Sequence, residues 1–146
     1  MRRILAVLLF GTLAACGGQE PSPPSAPAGT AQAGPAPLAA PGEKNNLPDG
    51  GWFIWNFSEK PKLGTLIVKV SAFDKEGGLV QAYEIIGEYG MPSMPYHDSG
   101  PVKFQLNKKG YYLLPVDVVM PGEWSVTIRV KQGKKEHYAG KVLFTV

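Results

Sequence analysis

Apolar and polar residues alternate along most of the C-terminal two thirds of the chain. In Trp124-Ser125-Val126-Thr127-Ile128-Arg129-Val130 apolar and polar positions strictly take turns. Val102, Phe104 and Leu106 alternate with Lys103, Gln105 and Asn107, and Val142, Phe144 and Val146 alternate with Lys141 and Thr145. Side chains two apart share one face of an extended strand, so each run predicts a strand with one face on a core. Leu63 to Asp74, Leu79 to Glu88 and Tyr111 to Val119 read as three more strands, and Trp52 to Phe57 as a short first one. Convincing 3.6-residue periodicity is missing.

Turn chemistry separates these runs. Lys75-Glu76-Gly77-Gly78, Asn107-Lys108-Lys109-Gly110, Met120-Pro121-Gly122 and Gln132-Gly133-Lys134-Lys135 recur at strand-length intervals. Pro121-Gly122 suits the central positions of a type II turn, where glycine accepts the positive φ. Pro115 lacks an N–H to donate and predicts an edge or a bulge in its strand. About seven short strands over residues 47–146 predict an all-β domain, an immunoglobulin-like sandwich, with a barrel as the alternative. Trp124 opens a perfectly alternating strand and is expected in the core. Trp52 and Trp55 should face opposite sides of theirs, leaving one free for an edge contact or a lid.

The first 46 residues follow other rules. Met1-Arg2-Arg3, an apolar run from Ile4 to Leu13 and small residues before Cys16 describe a secretory signal over 1–15. A spanning helix needs about 20 apolar residues, roughly twice this run. Leu13-Ala14-Ala15-Cys16 resembles the bacterial lipobox, which implies diacylation of Cys16, the only cysteine in the chain. Two acyl chains anchor firmly where one binds marginally, so the membrane is an expected partner through Cys16. Acylation also removes the one thiol that an oxidising compartment would attack. Gly17 is not the aspartate associated with inner-membrane retention, which favours the outer membrane within a periplasm-facing cell envelope. Residues 16–46, rich in Pro, Ala and Gly, bury too little apolar surface to offset ordering entropy and read as a disordered tether.

Charge narrows the partners. Without Arg2 and Arg3 the chain carries 13 basic against 12 acidic side chains. No basic patch interleaves with aromatics, so nucleic acid is not an expected partner.

One loop carries candidate chemistry. Gly87 to Gly100 is loop by composition, and within it Met91, Met94 and His97 recur every third residue, with Pro92 and Pro95 stiffening the spacing. Thioethers are soft ligands that select Cu(I), and imidazole accepts copper in either oxidation state. The competing reading makes the two methionines apolar filler that pins the loop to the sandwich end. His137, after the hairpin tip, reads as a surface strand residue.

The Gly-Met-Pro-x-Met-x-x-His loop, then Gly110-Tyr111-Tyr112, then Met120-Pro121-Gly122-Glu123-Trp124 leading into a strand, resembles the YtkA-like domain family and the related FixH-type periplasmic proteins. The likeness covers most of residues 50–146. It implies an immunoglobulin-like sandwich, often lipid- or membrane-anchored, with FixH-type members associated with copper supply to respiratory oxidases. The ligands it implies are Met91, Met94, His97 and Met120, with Cu(I) as the cofactor.

Three function classes follow: a copper-handling module, a structural or interaction module that contacts another envelope protein, and an enzyme. The last is not expected. The domain has no cysteine nucleophile, no Gly-x-Ser-x-Gly elbow and no paired carboxylates in the loop. Ser93, His97 and Asp98 are close in sequence, but a triad needs a base oriented by a third group.

Overall fold

Ten strands form over residues 34–146, the part of the chain that the computed structural model describes. The expected signal over 1–15, the expected lipidation site Cys16 and the expected tether up to residue 33 lie outside the described residues. The strands are β1 (Ala36–Pro37), β2 (Asn45–Asn46), β3 (Trp52–Phe57), β4 (Gly64–Phe73), β5 (Glu84–Gly90), β6 (Val102–Lys103), β7 (Gln105–Leu106), β8 (Tyr112–Val118), β9 (Glu123–Gln132) and β10 (Lys135–Thr145). The only helical piece among the described residues is a 3-10 turn, Pro95–His97.

Two five-stranded sheets result, ordered β1-β10-β9-β5-β6 and β2-β3-β4-β8-β7. The order β3-β4-β8-β7 facing β5-β9-β10 is the immunoglobulin arrangement of four strands against three. Every pairing is antiparallel except β1 with β10. The inward positions are the ones the alternation marks. Leu66, Val68, Val70 and Ala72 of β4 are buried, as are Leu114, Val116 and Val118 of β8 and Trp124, Val126, Ile128 and Val130 of β9. Trp55 is buried, while Trp52 is half-exposed on the opposite face, stacked on Phe73 and covered by the Lys44 ammonium.

Three local expectations are corrected. The strand read over 79–88 begins at Glu84, and Leu79 makes a single bridge to Phe73. The intervening residues carry the chain from one sheet to the other and cannot pair with both. The strand at its other end runs on to Gly90, into residues read as loop, because Gly87 has no side chain. A Cβ there would stand 2.4 Å from Leu114 and 2.8 Å from Phe104, so its glycine is a packing choice rather than a turn signal. The run Val102–Asn107 divides into β6, which joins β5, and β7, which joins β8. Phe104 sits buried at that crossing. Pro115 lies where β8 has run past the two-residue β7, at an open edge that needs no N–H.

The last residues of the expected tether belong to the sandwich. Ala36 and Pro37 pair with Gly140 and Lys141, and Asn45 and Asn46 pair with Phe53 and Trp52. Trp55 Nε1 donates to the Ala39 carbonyl at 2.8 Å, and the Gly42 amide donates to the Trp55 carbonyl at 2.9 Å. Asn45 is 4% exposed. Its Oδ1 accepts from the Ala39 amide at 3.0 Å and from the Tyr138 hydroxyl at 3.1 Å, tying this segment to both sheets.

Candidate metal centre

The loop from Met91 to Asp98 closes one pole of the sandwich, where β5 and β8 end and β9 begins. Its three-residue spacing has a backbone cause. The Met94 amide donates to the Met91 carbonyl at 2.8 Å, and the His97 amide to the Met94 carbonyl at 2.9 Å. These are two successive i→i+3 turns, each with a proline at its second position, where a φ near −65° is already set. Met91, Met94 and His97 therefore occupy the corners of the two turns. The second is the 3-10 turn Pro95–His97.

Met120 arrives from the other side. The Met120–Gly122 bend is held by Trp124 Nε1, which donates to the Met120 carbonyl at 3.0 Å. Gly122 exchanges two backbone hydrogen bonds with Val146. Gly122 has the expected positive φ, at 139°, but the Met120 carbonyl accepts the Trp124 indole N–H and not the Glu123 amide, so the segment is a bend and not a closed type II turn. The Cβ it lacks would lie 2.8 Å from Met91 Cε, so the bend and the loop meet in close contact.

Met91, Met94, His97 and Met120 all line one hollow of about 350 Å³, over the indole of Trp124. The four candidates are not alike. Met91 is 8% exposed and packs with the core, Met120 is partly buried against it, and Met94 is 39% exposed at the rim. His97 is exposed. The charged side chains in the same lining are Asp98 and Asp117, whose sign favours a cation. Asp117 accepts a hydrogen bond from Thr65 Oγ1 at 2.9 Å.

The donor set suits a soft ion. Three thioethers and one imidazole border the hollow, and thioether sulfur prefers Cu(I). Among the described residues no group of three or more His, Cys, Asp or Glu side chains gathers as a hard or borderline ion would require. Met91 also borders a second hollow of about 380 Å³ on the outer face of β9, beside Thr127, Arg129 and Lys141. Asp98 is the other side chain the two share, and its carboxylate occupies the space that a side chain at position 90 would take.

A polar group at the opposite pole is not evident from residue types. Asp49, in the turn between β2 and β3, accepts the Tyr83 hydroxyl at 2.6 Å and stands 3.9 Å from His137 Nδ1. The Tyr83 hydrogen bond draws the Asp49 carboxyl below its usual range. Burial, reinforced by that carboxylate, pushes Tyr83 up to about 12. His137, expected on the surface, has a side chain only 9% exposed.

No family model, no curated protein and no solved structure matches the chain.

Proposed function

We propose that this chain is an envelope lipoprotein, held to a membrane by a lipid on Cys16, whose sandwich binds Cu(I) through Met91, Met94, Met120 and His97. Its role on this reading is copper handling or oxidase assembly on the periplasmic side, with the outer membrane favoured over the inner. The observation that carries the reading is that these four side chains, three from the 91–98 loop and one from the 120–122 bend, line one hollow. The YtkA-like resemblance of the same two segments supports it. Met94 and His97 at the rim offer a first contact, and Met91 and Met120 beneath them complete a soft set. We assign the chain no catalytic step.

A Cu(I) competition titration of the full chain against a chromophoric chelator tests the reading, with sub-micromolar affinity expected. Met91→Leu with Met94→Leu should abolish binding. It should leave the fold intact, at a cost under about 1.5 kcal/mol that falls mainly on the buried Met91, since Leu for Met conserves volume and Met94 is exposed. An unaltered affinity in the double variant removes the proposal.

A second reading, as an interaction module docking another envelope protein, is favoured by the rim itself. Tyr96 is 98% exposed and Val119 73% exposed beside the same hollow. On that reading copper has no effect, and a photo-crosslinker placed at Tyr96 traps a defined partner.

A further inference from the structure

The pairing of β10 with β9 contains one irregularity. Glu136 opposes Lys131 and Tyr138 opposes Val130, so β10 advances two residues while β9 advances one. His137 is the extra residue of a β-bulge, a feature that re-aims a side chain and leaves it outside the ladder. Here the bulge buries the imidazole. Its Nδ1 is buried without a hydrogen-bond partner, and Asp49 Oδ2 lies 3.9 Å away. An unpaired buried nitrogen is destabilising, and a bulge that creates one beside a carboxylate needs an explanation.

The titratable groups around the ring come from several elements. Asp49 stands in the β2–β3 turn, Tyr83 lies 6.5 Å from the ring just before β5, and Asp74 stands close enough to Tyr83 to act on it. The Tyr112 hydroxyl of β8 donates to the Tyr83 carbonyl, Tyr138 is the next residue in β10, and Lys75 abuts Gly50 of the Asp49 turn. Among the described residues Asp49 is the one carboxylate within 4 Å of the imidazole nitrogens. Its Oδ2 already accepts the Tyr83 hydroxyl, and a carboxylate oxygen can accept a second donor.

We propose that the bulge forms a proton-operated latch, in which protonated His137 closes its Nδ1–H onto Asp49 Oδ2 and fastens the Leu47–Gly51 turn to β10. A charge-assisted N–H···O bond spans about 2.7–2.9 Å, so the two groups approach by roughly 1 Å. The turn is ready to transmit the closure. Asp49 Oδ1 accepts the Gly51 amide at 3.0 Å, the Leu47 amide donates to the Gly51 carbonyl, and the Gly50 amide donates to the Leu47 carbonyl. The turn follows Asn45, which holds the segment leading in from the N-terminal side. A proton therefore tightens the junction through which that segment joins the sandwich.

Amide hydrogen exchange of the full chain reads the latch. Protection factors at Leu47, Gly50 and Gly51, corrected for intrinsic exchange, should rise about tenfold between pH 8 and pH 5.5, the scale of one charged hydrogen bond. Both His137→Gln and Asp49→Asn should erase the rise. Nitrogen-15 spectra of the unaltered protein give an answer that does not depend on whether the variants fold. At pH 5.5 the His137 ring should be doubly protonated, with a slowly exchanging Nδ1–H. A ring still neutral at pH 5.5, equal protection at the two pH values, or a rise that persists in His137→Gln overturns the proposal.

Discussion

Asn45→Ala isolates the contact that joins the N-terminal segment to both sheets. The Asn45 side chain is buried, and its Oδ1 accepts two hydrogen bonds, from the Ala39 amide at 3.0 Å and from the Tyr138 hydroxyl at 3.1 Å. Alanine leaves both donors without an acceptor. A buried donor without a partner costs about 1–3 kcal/mol, and the half-buried Tyr138 hydroxyl recovers some of this from water. The expected loss is about 2–4 kcal/mol. With a slope of about 1–3 kcal/mol per molar for a domain of this size, the urea midpoint should fall by roughly 1–2 M. Tryptophan fluorescence reports the transition, because Trp55 contacts the same segment through the Ala39 carbonyl. Tyr138→Phe removes one donor and should cost less, about 1 kcal/mol, and Asn45→Ala should then cost less in that background than alone. A midpoint shift below about 0.5 M for Asn45→Ala, or strict additivity of the two changes, refutes the bridging role.

Two further outcomes follow from packing and from titration. Gly87→Ala should destabilise by about 1–3 kcal/mol through crowding against Leu114 and Phe104, measured by thermal unfolding; a neutral effect would mean that the sheets separate there freely. Tyr83 keeps its proton to about 12 when folded, above its ordinary value of 10.0, because of burial and the Asp49 carboxylate. The unfolded chain then binds fewer protons than the folded one, so the stabilisation is complete below pH 10 and is lost as pH rises through 12. Tyr83→Phe should be less stable at neutral pH yet lose stability less steeply between pH 10 and 12. Parallel alkaline profiles of the two proteins would contradict the assignment.

The two-sheet core is readable from residues because a period of two assigns each side chain to a face without reference to any partner. Val126, Ile128 and Val130 must point one way, and a core is where that face goes. The spacing of Met91, Met94 and His97 was readable for the same local reason, since prolines at the second position of two turns place those residues at the corners. That Met120 stands beside them was suggested by resemblance alone, since it comes from a different turn on a different strand connection.

What the residues could not state is anything carried by the backbone or by a change of register. Ala36–Pro37 and Ala39 join the sandwich through main-chain groups, which every residue possesses, so composition marks them as tether. Parity with Val142 and Phe144 assigns His137 to the outer face, yet as the extra residue of a bulge it leaves that pattern and its side chain is largely buried. Gly87 reads as a loop residue because the side chains of Leu114 and Phe104 that occupy its space are distant in sequence. The chain by itself determined which faces are apolar and where it turns. The tertiary structure decided which groups meet across the sheets, because those meetings depend on contacts between residues far apart along the chain.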